Sequence, residues 1–278
     1  MSIPTHTLHD GTTVPAIGFG TAMLKGARGV DAVVSALDEG YRLIDSAFNY
    51  ENEGAVGEAV RRTSVPRDEI LVSTKLAGRH HAHDDAVDAV HESLYRTGLD
   101  HLDLVLIHWP NPSKDLYVEA WQALLELQQQ GVVRSVGVSN FLPDHLDRLV
   151  AETGVAPVIN QVELHPYFPQ AEQREADARL GVRTESWSPL GRAGDILDEP
   201  ILWELAHAHG LTVPQLILRW HVQLGSIPLP KATSRERQRE NLGIFDVELT
   251  DDEMALVTAL GRPDGRNNDQ DPAVYEEF

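Results

Sequence analysis

The most constraining feature of this sequence is a regular alternation of short apolar runs with amphipathic stretches. The runs are rich in β-branched residues, and residues 104–107 are apolar throughout, which is typical of parallel strands covered on both faces. Roughly eight strand–helix units in about 250 residues match a (β/α)8 barrel. We therefore predict an α/β fold, a TIM-type barrel with strands near residues 16–21, 43–47, 70–76, 102–109, 135–140, 158–164, 183–189 and 226–231.

A doubly wound Rossmann sheet is the alternative fold for such a pattern. Its nucleotide-binding turn uses Gly-x-Gly-x-x-Gly after the first strand, but here Gly18-Phe19-Gly20 is followed by Thr21 and Ala22. Eight units also exceed the roughly six strands of that fold. The barrel is the better interpretation, and since the composition does not shift along the chain, we predict one domain over residues 1–278.

Some segments lie outside the strand–helix repeat. Asp10-Gly11, between two short β-rich runs, predicts an N-terminal hairpin across the lower end of the barrel. Residues 199–209 and 250–260 predict extra helices. The polar segment 262–278 predicts a C-terminal tail near the active site. This tail carries Arg262, Arg266 and Tyr275 and would close over the site.

Composition excludes several classes of function. With 43 acidic and 23 basic residues, the net charge of −20 repels phosphate backbones, so we expect no nucleic-acid partner. No apolar run approaches the roughly 18 residues of a membrane span, and residues 1–10 show no secretion signal. Cys is absent, which excludes disulfides, thiolate metal sites and Cys nucleophiles. We expect a cytoplasmic monomer that acts on a small molecule.

His80, His81 and His83 resemble a metal-ligand cluster at first sight. They lie in a predicted loop without carboxylates at a spacing that would complete a site. We interpret them as a solvated loop and predict no metal.

Polar residues follow the apolar runs at the predicted strand ends, and in a barrel these ends meet at one face. The ionisable ones are Asp45, Lys75 and His108, with Tyr50 in the loop after the first of them. A Lys ammonium favours phenolate and so lowers the pKa of a nearby Tyr, and a paired Asp keeps that Lys charged. A His beside them can hydrogen-bond the oxygen that the Tyr protonates, as carbonyl reduction requires. Each residue alone has a structural explanation, but their convergence favours catalysis.

Several segments carry a family resemblance. At these positions the chain resembles the aldo-keto reductases, in one register from about residue 5 to about residue 260, and most closely the bacterial 2,5-diketo-gluconic acid reductases. The matching segments are GYRLIDSA (40–47) with Tyr50 and NEGAVG (52–57), VSTK (72–75), DLVLIHWP (103–110), GVSNF (137–141) and NQVELHP (160–166).

The resemblance implies NADPH-dependent reduction of an aldehyde or ketone without a Rossmann fold. In that family's pattern Tyr50 is the general acid, Lys75 and Asp45 tune it, and His108 orients the carbonyl. The residues implied for the nicotinamide, pyrophosphate, 2′-phosphate and adenine are Ser139, Asn140, Gln161, Trp187, Ser188, Leu190, Gly191, Lys231, Ser234, Arg237, Glu240 and Asn241.

Two departures from the family pattern concern specificity. Ala232 stands where the family commonly has Ser after the Lys, so one contact with the 2′-phosphate of NADP is missing. The implied substrate pocket has variable residues with an apolar wall, for which we expect Ala22, Phe48 and Trp109, with Phe19 as a further candidate.

Two other functions remain open from the sequence. Lys75 could form a Schiff base in an aldolase-type barrel, although a neighbouring Asp45 would keep its amine protonated. A non-catalytic barrel that binds nicotinamide as a regulatory subunit would also contain Trp187 and Lys231.

Overall fold

Parallel strands form a barrel, which confirms the predicted fold class. The computed structural model describes residues 3–277. A short antiparallel pair, β1 (Thr5–Thr7) and β2 (Thr13–Pro15), comes first. The barrel strands follow, each hydrogen-bonded to the next in chain order: β3 (Phe19–Gly20), β4 (Leu43–Asp45), β5 (Leu71–Leu76), β6 (Leu102–Ile107), β7 (Val133–Ser139), β8 (Ile159–Glu163), β9 (Arg183–Trp187) and β10 (Ile227–Pro228).

The barrel closes between its first and last strands. The amides of Gly18 and Gly20 donate to the carbonyl oxygens of Pro228 at 3.0 Å and Pro230 at 3.1 Å. A Cβ atom on Gly20 would lie 2.9 Å from the Leu229 carbonyl oxygen, closer than side chains approach backbone, so this seam requires glycine. β10 is shorter than the apolar run 226–231 because its prolines cannot donate ladder hydrogen bonds.

Helices cover the outside of the barrel, which explains why a strand such as β6 is buried along its whole length. Trp121 and Leu124, for example, are fully buried with Val105 and Val136 of the strands in one apolar cluster. The helices are α1 (Gly26–Glu39), α2 (Glu53–Arg62), α3 (His83–Thr97), α4 (Tyr117–Gln129), α5 (Pro143–Thr153), α6 (Ala171–Arg179), α7 (Pro200–Ala208), α8 (Val213–Gln223), α9 (Arg235–Leu242) and α10 (Asp251–Thr258).

The predicted hairpin covers the end of the barrel at which the strands begin. Thr5 pairs with Pro15 and Thr7 with Thr13. The turn is fixed to the barrel through Ser135 of β7, whose hydroxyl donates to Asp10 Oδ2 at 2.7 Å and lies 2.7 Å from Thr12 Oγ1. A cavity of about 1040 Å³ lies at this end, between the hairpin, the end of α1 and α9. None of the predicted site residues lines it.

The extra helices α7 and α10 are present and pack against each other. Leu202, Leu205 and Val257 of these helices are buried in one apolar cluster with α8. After α10 the chain turns back, and Arg262 N–H donates to the Tyr167 carbonyl at 3.1 Å. The tail then crosses to the face where the strands end. Phe278, the last residue of the predicted tail, lies outside the described residues, as do residues 1 and 2.

Within residues 3–277, no helix combines the length and the apolar character that a membrane crossing needs.

Candidate active site

Asp45 and Lys75 form a buried ion pair at the ends of adjacent strands. Asp45 ends β4, and Lys75 lies near the end of β5. Lys75 Nζ donates to both Asp45 carboxylate oxygens, at 2.6 and 2.8 Å, and to the Ser46 carbonyl at 2.8 Å. Lys75 is 1% exposed and Asp45 4%. All three ammonium protons are therefore directed to acceptors, which satisfies a buried charge.

The environment keeps Lys75 charged. Burial disfavours the ammonium, but the charge of Asp45 and its hydrogen bonds to the ammonium outweigh burial and raise the pKa of Lys75 above its usual value. A protonated amine is not a nucleophile, so this site argues against Schiff-base chemistry at Lys75.

Tyr50 lies beside the buried pair, at the end of a 3₁₀ turn, Phe48–Tyr50, that follows β4. Lys75 Nζ is 5.1 Å from the centre of the Tyr50 ring. Burial raises the pKa of Tyr50, and the Lys75 ammonium only partly opposes this shift. Lys75 lowers the pKa of Tyr50 as expected, but desolvation of the phenolate is the larger effect, so the net shift is upward. The phenol stays protonated at neutral pH and can give up a proton.

His108 lies at the same face, directly after β6. Its ring meets the Tyr50 ring edge to face, with centroids 5.9 Å apart. Its side chain is 12% exposed, and Nδ1 lies 2.6 Å from Glu277 Oε1 of the C-terminal tail, without the alignment of a regular hydrogen bond. The structure therefore brings the four predicted catalytic residues together and adds a carboxylate that sequence reasoning missed.

Amide and hydroxyl groups continue this face along β7 and β8. Ser139 Oγ donates to the Gln161 carbonyl at 2.8 Å. Asn140 Nδ2 donates to the His108 carbonyl at 2.9 Å, and its Oδ1 accepts from Trp187 Nε1 at 2.8 Å. These bonds fix the Trp187 indole next to the His108 loop. Both Nδ2 protons of Asn140 are used, by the His108 carbonyl and by Ser139 Oγ, so a ligand would be bound through the second lone pair of Oδ1.

Gln161 connects this row to the ion pair. Its Nε2 donates to Asp45 Oδ1 at 2.9 Å and to Glu185 Oε2 at 2.7 Å. In the part of the chain that is described, no donor reaches Gln161 Oε1, which leaves this oxygen for a ligand N–H. Glu185 is fully buried in β9, and burial together with the negative charge of Asp45 raises its pKa to about 8. Sequence reasoning also missed Glu185.

The loop after β9 carries the residues predicted for the pyrophosphate. Ser188 and Gly191 have positive φ values of 48° and 55°, so the chain turns sharply directly after Trp187. Leu190 precedes a 3₁₀ turn, Gly191–Ala193. His221 Nε2 lies 3.1 Å from the Pro189 carbonyl oxygen, and this contact connects the loop to α8. Ser188, Leu190 and Gly191 thus follow Trp187 closely in the sequence, far along the chain from Asp45 and Lys75.

The basic residues after β10 divide into two groups. Arg235 and Arg239 both pair with Glu39 of α1. Lys231 and Arg237 are exposed and have no acidic partner among residues 3–277. Ser234 Oγ accepts from the Arg237 N–H at 3.3 Å and caps α9. Lys231, which precedes α9, and Arg237, in its first turn next to the acidic Glu236, are therefore cations without an acidic partner in the described part of the chain.

The two residues predicted for adenine lie at the other end of α9. Glu240 Oε1 accepts from Thr212 Oγ1 at 2.6 Å. Asn241 is 5% exposed and lies beside Tyr41. Both are thus already partnered within the protein, on the same short helix as Arg237.

The predicted substrate residues are divided. Trp109 packs on Tyr275 of the tail, with ring centroids 4.4 Å apart, next to His108. Phe48 is 7% exposed, and the Arg96 guanidinium lies 3.9 Å from its ring centre. Ala22 is half-buried after β3. Phe19 does not belong to the wall, because it is fully buried against Tyr41 inside the fold.

The histidines after β5 have separate environments. His81 is buried, and burial lowers its pKa to about 4, whereas His83 contacts Asp84 and Glu126. In the described part of the chain, no three His, Asp or Glu side chains are arranged to hold a metal ion.

The predicted tail residues Arg262 and Arg266 pack on the loop after β8, and Arg266 also lines a small cavity together with Asn140 and Trp187. Their guanidinium groups lie 3.9 Å from the Tyr167 ring centre and 4.8 Å from that of Phe168. They fasten the start of the tail to the loop after β8, while Tyr275 and Glu277 make the contacts at the site.

Comparisons with known proteins agree with this geometry. Residues 16–262 match the Aldo/keto reductase family. The chain is 51% identical over 277 residues to 2,5-diketo-D-gluconic acid reductase B of Corynebacterium sp. (strain SHS752001), covering 100% of this chain and 99% of that protein. A solved structure of a Gox0644 variant in complex with NADPH has a TM-score of 0.94 at 39% identity, covering 99% of this chain and 100% of that one. The Bombyx mori aldo-keto reductase AKR2E4 in complex with NADP gives a TM-score of 0.91 at 33% identity, covering 100% and 99%. The chain belongs to the aldo-keto reductase family.

Proposed function

We propose that this protein reduces an aldehyde or ketone to the alcohol with NADPH. The observation that carries the proposal is the buried Asp45–Lys75 pair next to the protonated phenol of Tyr50. Family membership and the NADP-complexed neighbours support the same reaction.

The residues present suit a nicotinamide dinucleotide phosphate. Gln161 Oε1 is available to the carboxamide, next to the hydroxyl of Ser139, whose proton is donated to the Gln161 carbonyl. The fixed Trp187 indole offers a flat face for the nicotinamide ring. Lys231 and Arg237 offer unpaired positive charge to the 2′-phosphate in a protein with a net charge of −20. Ala232 contributes no hydroxyl there, so two cations carry the selectivity for NADP over NAD.

Further contacts would be made with the middle of the cofactor and with its adenine end. Ser188, Leu190 and Gly191 would border the pyrophosphate, and Ser234 would add a hydroxyl near the phosphate. Glu240 and Asn241 would meet the adenine.

The bound cofactor supplies a hydride, and the chain supplies a proton and a place for negative charge. Tyr50 donates its phenolic proton to the oxygen of the reacting carbonyl. The Lys75 ammonium stabilises the phenolate that remains, and Asp45 keeps that ammonium charged and oriented. His108 hydrogen-bonds the same substrate oxygen and sets its direction. The protonated Tyr50 and the charged Lys75 suit these roles.

We infer that the substrate is a small carbonyl compound that lies against an apolar wall. Trp109 and Tyr275 form this wall beside His108, and Ala22 and Phe48 lie on loops at the same face. The relative with 51% identity is named for a diketo-gluconic acid, which is a small polar ketone. All four proposed catalytic residues come from one chain, which is consistent with activity as a monomer.

The test is Tyr50→Phe, which removes the proton and keeps the ring. We expect kcat for NADPH oxidation with an aldehyde panel to fall about 10²- to 10⁴-fold, because general acid catalysis is lost. NADPH binding, measured by fluorescence, should remain within about twofold. Tyr95→Phe is the matched control, since Tyr95 is 75% exposed on α3. Near-native turnover by Tyr50→Phe would contradict the proposal.

A further inference from the structure

The C-terminal tail places a carboxylate at the catalytic histidine. Glu277 is 8% exposed, although it is the last described residue of the chain. Its Oε1 lies 2.6 Å from His108 Nδ1 and accepts from Asn49 Nδ2 at 2.7 Å. Its Oε2 accepts from the Gly78 N–H at 2.9 Å. Both oxygens thus have donors from the loops that follow β4 and β5.

The backbone of Glu277 is also held in place. Asn111, in the loop after β6, donates from Nδ2 to the Glu277 carbonyl at 2.8 Å and accepts from the Glu277 N–H at 3.1 Å. A Cβ atom on Gly78 would lie 2.3 Å from Asn111 Nδ2, so Gly78 makes room for this arrangement. Glu277 therefore occupies a built site rather than a surface that the tail crosses by chance.

The charge state of Glu277 fixes which atom carries the proton. Burial favours the neutral acid, but the charge of His108 and the hydrogen bonds from Gly78 and Asn49 outweigh it and lower the pKa of Glu277. A carboxylate 2.6 Å from a ring nitrogen requires a proton on that nitrogen, here His108 Nδ1. The other nitrogen, Nε2, has no hydrogen-bond partner among residues 3–277, so it is the one available to a substrate.

We propose that Glu277 is a positioning residue for carbonyl reduction. It holds a proton on His108 Nδ1 and fixes the ring, so that Nε2 is left to hydrogen-bond the substrate oxygen. This proposal rests on the proposed function. A carboxylate that orients a histidine through its distal nitrogen is a general way to fix both tautomer and direction. No residue near the tetrad in sequence supplies one, and the tail supplies it instead.

The experiment compares Glu277→Gln with Glu276→Gln in the full-length chain. Glu276 is the adjacent carboxylate of the tail and accepts from the Ser113 N–H at 2.6 Å, away from His108. We expect Glu277→Gln to lower kcat roughly 10- to 100-fold with a change in KM below about threefold. Glu276→Gln should stay within about twofold in both constants, and thermal melting should show that both variants fold.

A second readout does not depend on activity. Ring-nitrogen NMR of His108, assigned with His108→Gln, should show a proton held on Nδ1 in the wild type. In Glu277→Gln the resonance should shift towards that of an unrestrained imidazole, and Glu277→Asp, which keeps the charge, should restore part of the wild-type signal. If the wild type oxidises no NADPH with any aldehyde, the proposed function fails, yet this NMR test of Glu277 still stands.

Three results would overturn the inference. Equal losses in both Gln variants would show that the tail matters only for docking. An unchanged kcat and NMR signal in Glu277→Gln would remove the role of the carboxylate. A higher kcat in Glu277→Gln would show that Glu277 occupies the substrate's place instead of supporting His108.

Discussion

Glu185 and Asp45 accept hydrogen bonds from the same nitrogen, Gln161 Nε2, at 2.7 and 2.9 Å. Two carboxyl groups therefore share one interior region with a single cation, Lys75, which is bonded to Asp45. The Lys75 ammonium forms its ion pair with Asp45, and burial together with the Asp45 charge raises the pKa of Glu185. Glu185 remains the neutral acid at neutral pH and leaves the Asp45–Lys75 pair undisturbed.

This arrangement predicts a pH-dependent stability. The folded protein holds the Glu185 proton up to about pH 8, whereas an ordinary Glu releases it near 4.5. The stabilisation is fully present below about 4.5 and is lost as the pH rises towards about 8, by up to ~1.4 kcal/mol per pH unit. We expect Glu185→Gln to flatten this part of the profile in urea unfolding from pH 5 to about 9. Glu175→Gln, at an exposed site on α6, is the control, and parallel curves for wild type and Glu185→Gln would contradict the prediction.

The buried ion pair predicts a non-additive pair of substitutions. Asp45→Asn leaves the Lys75 ammonium buried without its counter-charge, so we expect a loss of about 3–5 kcal/mol in the free energy of unfolding. Asp45→Asn combined with Lys75→Met removes both charges and should recover part of that loss, while turnover stays absent. Urea unfolding and NADPH oxidation measure the two effects. A double variant as unstable as the sum of the single ones would show that the residues do not act as a pair.

Sequence alone predicted the barrel and most of the ionisable site for one physical reason. Strands covered on both faces favour apolar side chains, so the end of an apolar run such as β6 can be recognised in the sequence. The residues that follow the strands share one face of the barrel. Asp45, Lys75 and His108 all stand at such limits. The net direction of the Tyr50 pKa shift was not accessible, because it depends on how completely the fold removes water from the phenol.

Glu185 and Glu277 were missed for different reasons. Glu185 lies inside a strand, two residues before Trp187, and strand alternation places both on the same face. A charged residue at a position that strand alternation turns inward was the sequence signal that could have identified Glu185 as part of the site. Glu277 is 169 residues from His108 along the chain, in a tail with no periodic pattern. Only the folded path of the tail brings the two together.

Trp187 should report cofactor binding by fluorescence. The indole is held by Asn140 at 2.8 Å and is partly exposed, whereas Trp121 and Trp220 are fully buried. We expect NADPH to quench the protein fluorescence mainly through Trp187, and Trp187→Phe to abolish most of the quenching. Loss of the larger aromatic face should weaken NADPH binding roughly 2- to 10-fold. Trp203→Phe, at a 59% exposed position on α7, should leave quenching unchanged, and equal effects of both variants would place the nicotinamide elsewhere.

The basic residues around α9 predict how the enzyme distinguishes NADPH from NADH. Arg239 is paired with Glu39, whereas Lys231 and Arg237 have no acidic partner in the described range 3–277. The extra phosphate of NADPH is the only group that the two cofactors do not share, so cations that bind it affect one cofactor alone. We expect Lys231→Ala and Arg237→Ala each to raise the Kd for NADPH about 10-fold, with NADH unchanged within about twofold, and the effect on NADPH to shrink at high salt. Arg239→Ala, the matched control of equal charge on the same helix, should change neither Kd, because its guanidinium is already engaged by Glu39. If Lys231→Ala and Arg237→Ala weakened both cofactors equally, the two cations would bind a part of the dinucleotide other than the 2′-phosphate, and the selectivity for NADP would have to come from elsewhere in the chain.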